Sequence, residues 1–238
     1  MNINCFSVTF WFNIYKEHND LLSILQKEFK NEYNEFNVYD YTDNLVTPII
    51  NAINDKKMTN LIMSQINLQY FMDKVTMDDF DEFQNKVLKI YELLINNGVE
   101  VSHSALYINA DKILENGLDI ITKHTINKNF INDDLVDITL KLGTKHEDLF
   151  YKIITILNKK QVQLPQKVDE NGRIIPIPLV SWYDAKTEQE MIEISYEIND
   201  KYSFDYTKDY HTTEFYLNKM LYLLHENFED DINNVLKK

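Results

Sequence analysis

The sequence predicts an α+β fold in which antiparallel sheet is covered on one face by long amphipathic helices. Phe6, Val8 and Phe10 alternate with polar or small residues, and a period of two with aromatic and β-branched residues indicates a strand. Near the C-terminus, apolar residues from Leu217 to Val235 recur every three or four residues, as on one side of a helix. Between such helices the strand patterns follow one another as a meander, which is typical of an α+β protein.

The first part of the chain contains two helical patterns and several short strands. Asn19 or Asp20 can cap a helix whose apolar positions are Leu22, Leu25, Phe29, Tyr33 and Phe36. Strands are predicted around residues 47–53, 58–63 and 66–71, with a hairpin turn at Asn54-Asp55. Thr76 and Asp79 resemble a capping box, and Gly98 is well placed to end the long helix that follows.

The second part repeats this layout. Strands are predicted at residues 99–109, 136–142 and 192–198, and a helix after Asp111 through Ile113 and Leu114. Residues 150–157 fit both periods, and their β-branched content favours a strand. Asn171-Gly172 indicates a hairpin, and the last helix starts near Thr212 or Thr213. We therefore expect one compact domain, 1–238, with two similar β-α-β-β-β-α halves, 1–98 and 99–238.

The charge of the chain indicates which classes of binding partner are favoured and which are disfavoured. It has 38 acidic and 24 basic residues, a net charge of −14, and Arg173 as its only arginine. Phosphate backbones repel such a chain, so direct nucleic-acid binding is not expected. That function would require lysines such as Lys56, Lys57, Lys159 and Lys160 to form one basic face. A basic protein partner fits the charge better, and self-association stays open.

The sequence contains no established catalytic or metal motif. None of its six histidines has the spacing of a zinc-binding helix, and no glycine-rich phosphate loop or nucleophile elbow occurs. We therefore expect no metal, no cofactor and no assigned catalytic residue, and a binding protein is favoured over an enzyme. Cys5 is the only cysteine and lies in a strand pattern, so we expect a buried apolar role. With no signal peptide and no membrane-length apolar run, a cytoplasmic location without membrane association is expected.

Three segments carry a family resemblance. They are the hairpin and long helix of residues 49–94, the strand ending Leu106-Tyr107-Ile108-Asn109, and the helix containing Leu224-His225-Glu226-Asn227-Phe228. Together they resemble a sporadically distributed, uncharacterised bacterial family of about this length, with an Arg-Tyr-Ile-Asn-type central strand. The resemblance implies a compact α+β protein, often found near defence genes, and implies no enzymatic activity. Leu106 and Ser102 stand where that family tends to have arginines.

The leading hypothesis is a non-enzymatic regulatory, sensor or inhibitory subunit in a bacterial or phage defence system. Its acidic surface would bind a protein partner that is basic or handles nucleic acid. Trp182 and Tyr183 are candidate anchors on a binding edge. The candidate acidic contacts on the last helix are Glu226, Glu229, Asp230 and Asp231.

The alternative is a small-ligand binder or hydrolase with a pocket between the two halves. His103, Tyr107 and His225 would have to converge in that pocket. For His103 we favour a hydrogen-bonded, half-buried side chain over a general base. For His225 and Glu226 we favour a tether between helix and sheet over catalysis.

Overall fold

The computed structural model describes residues 1–12, 19–40, 42–114, 137–146, 148–161, 188–201 and 210–236. These residues form nine strands and three helices, so the α+β prediction is confirmed, with sheet as the larger part. The strands are β1 Asn2–Phe12, β2 Glu35–Val38, β3 Ile50–Asn54, β4 Thr59–Met63, β5 Asn67–Asp73, β6 Val101–Leu114, β7 Asp137–His146, β8 Leu149–Gln161 and β9 Glu188–Asn199. The helices are α1 Asn19–Phe29, α2 Phe80–Asn96 and α3 Glu214–Leu236.

All nine strands belong to one antiparallel sheet with the order β2-β3-β4-β5-β1-β6-β9-β8-β7. β1 lies at the centre and pairs with β5 on one side and β6 on the other. Its even-numbered residues, which the sequence places on one face, are fully buried at Phe6, Val8 and Phe10. Residues of β1 and β6 that pair with each other are therefore about a hundred positions apart in the chain.

Two long helices contact this buried set of side chains. The ring of Phe6 lies 5.3 Å from Phe80 and 5.4 Å from Phe83 of α2. Phe6 is in register with Ile108, which is in register with Tyr196 of β9. The ring of Tyr196 lies 5.7 Å from Phe228 of α3. Both helices therefore contribute aromatic side chains to the core of the sheet.

The ends of α2 form as the sequence predicts. The Asp79 carboxylate accepts hydrogen bonds from the backbone N–H of Thr76 at 2.8 Å and from its hydroxyl at 3.1 Å. At the other end, the N–H of Val99 donates to the carbonyl of Leu94 across Gly98, which has a φ of 75°. This is a Schellman ending, and glycine adopts the left-handed conformation that it needs without strain.

Two helix boundaries differ from the sequence prediction. The helical spacing continues through Tyr33 and Phe36, but α1 ends at Phe29 and Phe36 pairs with Ala52 of β3. The predicted helix after Asp111 is also wrong at its start, because Ile113 and Leu114 extend β6 and pair with β9. In both cases pairing with a distant strand overrides local spacing. The weakly indicated strand at 150–157 is confirmed as part of β8.

Candidate functional site

The outer face of α3 carries exposed aromatic and acidic side chains. Phe215 is 70% exposed and Tyr222 is 64% exposed, and Glu226 and Glu229 are exposed as well. At 100° per residue these four positions lie within about 40° of one line along the helix. We call Phe215, Tyr222, Glu226 and Glu229 the α3 stripe. The stripe faces away from the buried residues of the helix. It therefore presents large apolar groups and negative charge on the solvent-exposed side of α3.

Asp230 and Asp231, two of the predicted acidic contacts, differ in exposure and in hydrogen bonding. Asp230 is exposed beside the α3 stripe. Asp231 is partly buried, and its carboxylate accepts a 2.6 Å hydrogen bond from the hydroxyl of Tyr196. Burial and the Asp231 carboxylate together raise the pKa of Tyr196. Asp231 therefore connects α3 to β9 and is less exposed than Glu229 and Asp230. Trp182 and Tyr183 lie outside the described residues.

The three residues of the alternative pocket do not converge. His103 and Tyr107 alternate along β6 with Leu106 and Ile108, whose side chains are fully buried. His225 lies instead on α3, with its ring 5.0 Å from Phe80, on the side of the sheet to which Ile108 points. The sheet therefore separates His225 from the other two side chains, and a single pocket formed by all three is ruled out.

His103 has the half-buried, hydrogen-bonded role that was favoured for it. Its ring stacks on Trp11 at 4.6 Å with an interplanar angle of 8°, and its Nδ1 lies 3.2 Å from the hydroxyl of Ser102. The Ser102 hydroxyl in turn donates to the carbonyl of Trp11. Ser102 and the fully buried Leu106 are the two positions where the resembling family tends to have arginine, and both have structural contacts here. His225 pairs with Glu226 at 3.0 Å, and its ring packs against Phe80 of α2.

A polar cavity of about 490 Å³ lies between the end of α1, the β3–β4 hairpin and α2. Lys57, Lys86 and Lys89 line it, with Glu32 and Glu82 as the acidic lining residues. Lys57 binds Glu82 at 2.9 Å, and Lys86 forms an ion pair with Glu32. Each pair connects α2 with another element, since Glu82 and Lys86 lie on α2, Lys57 lies in the hairpin turn and Glu32 follows α1. Sequence analysis missed this cavity because the lysines come from elements that only the fold brings together.

The lysines that nucleic-acid binding would need are far apart. Lys56 and Lys57 lie in the β3–β4 hairpin, whereas Lys159 and Lys160 lie on β8. β4 and β8 are five strand positions apart, or about 24 Å. The two pairs of lysines are therefore not adjacent in the sheet.

The thiol of Cys5 is buried, as its place in the strand pattern predicts. Burial, followed by the nearby Asp73 carboxylate, raises its pKa to about 12. The thiolate is the reactive form, so Cys5 is not suited to nucleophilic chemistry.

Within the described ranges, no group of three or more His, Cys, Asp or Glu side chains lies close enough to hold a metal ion. In the same part of the chain, no helix has the length and apolar content to cross a membrane. Neither protein-family models nor curated protein sequences give a match to this chain.

Proposed function

We propose that this protein is a non-enzymatic binding protein that uses the α3 stripe and Asp230 to hold a basic protein partner. In this proposal it acts in the cytoplasm as a regulatory, sensor or inhibitory subunit of a bacterial or phage defence system. The observation that carries the binding role is the exposure of Phe215 and Tyr222 in line with Glu226 and Glu229. The link to defence rests on the family resemblance alone.

The energetics of the stripe suit a protein interface. Aromatic side chains supply most of the affinity at interfaces, since they bury large apolar areas at low entropic cost. Carboxylates beside them steer a basic partner and increase its association rate. The net charge of −14 extends the attraction beyond the stripe. Arginine- and lysine-rich partners, including nucleic-acid enzymes, have the complementary surface.

We further propose that the fold consists of two similar halves, 1–98 and 99–238, with the long helices on one sheet face. The order of pairing supports this. β1 is followed outward by β5, β4 and β3, and β6 is followed outward by β9, β8 and β7. In chain order, a long helix follows the last strand of each series, which is β5 after β3 and β4, and β9 after β7 and β8. The shared register of Phe6 and Tyr196 through Ile108 supports coverage of one face by α2 and α3.

The first experiment is an affinity pull-down of the tagged full-length protein from its native cells, with nuclease, at low and moderate salt. We expect a stoichiometric protein partner whose recovery falls as salt rises. The double variant Glu229→Lys/Asp230→Lys should weaken that partner's affinity by about tenfold or more. Tyr222→Ala, which leaves every charge in place, should weaken it by about 30-fold.

The matched control is Glu100→Lys/Asp43→Lys, which changes two exposed acids outside α3 and alters the net charge by the same amount. It should keep most of the affinity. Equal weakening in both double variants would show that bulk charge, and not the α3 stripe, binds the partner. Recovery of the protein alone at both salt concentrations would contradict the proposal as a whole.

A further inference from the structure

The polar cavity between α1 and α2 is lined by three lysines, Lys57, Lys86 and Lys89, and by two glutamates, Glu32 and Glu82. The carboxylate of Glu32 pairs with Lys86 and also lies 3.4 Å from the ammonium of Lys89. Lys89 has a second carboxylate, Glu28, at 2.7 Å, whereas Glu32 is the one carboxylate paired with Lys86 among the described residues. The carboxylate of Glu32 therefore contacts two ammonium groups. Burial favours a higher pKa for Glu32, but the two lysines outweigh burial and hold this pKa below its ordinary value.

Lys86 is the lysine most removed from water in this cavity. Its side chain is 13% exposed, compared with 45% for Lys89 and 65% for Lys57. Its ammonium lies 4.0 Å from the centre of the Phe29 ring. Burial lowers its pKa, and the neighbouring Glu32 opposes this effect. An anion bound in the cavity would further stabilise the charged form of Lys86.

Tyr70 supplies an unused hydrogen-bond donor in the same cavity. Its side chain is 3% exposed, and its hydroxyl has no hydrogen-bond partner within the described part of the chain. Burial raises the pKa of Tyr70, so its hydroxyl stays protonated and able to donate. The hydroxyl of Tyr70 is therefore free to donate to an oxygen atom of a ligand in the cavity.

We propose that this cavity binds a small organic oxyanion, a carboxylate or a phosphate ester, through Lys86 and the hydroxyl of Tyr70. Lys57 and Lys89 add positive charge at the rim, and the amide side chains of Asn54 and Asn85 line the remaining wall. The volume of about 490 Å³ is within the usual range for small-molecule sites. The proposal does not depend on the α3 stripe, because no residue of α3 lines this cavity.

The test is calorimetric titration of the full-length protein at fixed ionic strength. The probes are inorganic phosphate, glycerol 3-phosphate, acetate and succinate, with glycerol as the uncharged control. We expect saturable binding of at least one anion and none of glycerol, and the preferred anion separates the phosphate source from the carboxylate source. Tyr70→Phe should weaken binding by about tenfold, since it removes one hydrogen bond to a charged group.

Two further variants separate binding from folding. Tyr70→Phe removes an oxygen that has no partner among the described residues, so its melting temperature without ligand should equal or exceed that of the wild type. Lys86→Met should abolish measurable binding, whereas Lys56→Gln, a change to an exposed lysine outside the cavity lining, should bind normally. Absence of saturable binding by all four anions, or wild-type affinity in Tyr70→Phe, would overturn the proposal while leaving the partner proposal intact.

Discussion

At the scale of single residues, Asp200 is a fully buried carboxylate that links two strands to the start of α3. It accepts hydrogen bonds from the backbone N–H of Ser104 at 2.6 Å, the hydroxyl of Thr212 at 2.6 Å and the hydroxyl of Tyr210 at 2.9 Å. Tyr91 of α2 donates to the carbonyl of Thr212 and extends the network to a second helix. Hydrogen-bond donors, and not a cation, compensate this charge within the described residues.

Replacing Asp200 with alanine should destabilise the protein strongly. The change leaves the Ser104 N–H and the Thr212 hydroxyl buried without their acceptor, and we expect a loss of about 3 kcal/mol in the free energy of unfolding. Asp200→Asn keeps one acceptor oxygen and should lose less. Urea denaturation of both variants gives the comparison, and equal losses would show that the side chain's oxygen atoms are not what matters.

Asp200 should also give stability a distinctive pH dependence. Burial raises its pKa above the ordinary value of 3.8, although the hydrogen bonds oppose this. The folded state therefore binds the proton more tightly, so the contribution is complete below pH 3.8 and is lost as the pH rises through the folded-state pKa. The free energy of unfolding of the wild type, measured relative to Asp200→Asn by urea denaturation in a pH series, should fall over that window. A relative stability that rises with pH would contradict the assignment.

Local sequence patterns predict the roles of some single residues and not of others. Cys5 is predicted as buried because its strand pattern is local. Asp231 is not distinguishable from Glu229 and Asp230 in an acidic run, because its difference is a hydrogen bond to Tyr196, which is 35 residues away. Asp200 gives no sequence signal either, since two of its three donors, Ser104 and Thr212, come from other elements.

At the scale of elements, α2 and α3 stabilise the sheet through aromatic rings. Phe83 is fully buried and lies within 6.0 Å of the rings of Phe6, Tyr70 and Phe80. The capping box and the Schellman ending fix where α2 begins and ends. Phe83 of this helix contacts Phe6 of β1 and Tyr70 of β5. Phe215 has the same side chain on α3 but is 70% exposed. The two positions therefore separate the structural use of phenylalanine from the proposed binding use.

Phe83→Ala should lower the free energy of unfolding by about 4 kcal/mol, because it opens a cavity in the aromatic cluster. Phe215→Ala is the matched control and should change stability by less than about 0.5 kcal/mol. Chemical denaturation of both variants checks this. If Phe215→Ala were equally destabilising, the outer side of α3 would have a structural role. The exposure of Phe215 would then no longer support a binding surface at the α3 stripe.

At the scale of the whole molecule, a net charge of −14 acts against compactness. Salt screens this self-repulsion, so raising sodium chloride from a low concentration to a physiological one should stabilise the protein at neutral pH. We expect a gain of about 1 kcal/mol, or about 2–4 °C in melting temperature. Near the sequence pI of about 4.8 the gain should disappear. A salt effect of equal size at both pH values would point to a cause other than net charge.

The sequence by itself determined the alternating strands, the caps of α2 and the helical spacing of α3, because each depends on neighbours within a few positions. Val235 continues that spacing but is only partly buried, whereas Leu236 is buried instead. Only the tertiary structure decided that Phe36 and the segment from Ile113 belong to strands, since pairing with β3 and β9 supplies hydrogen bonds that local spacing does not reveal. It also placed His225 away from His103 and brought Lys86, Glu32 and Tyr70 to one cavity. Sites of this kind form from side chains distant in the chain, so their chemistry appears only when the sheet and helices assemble.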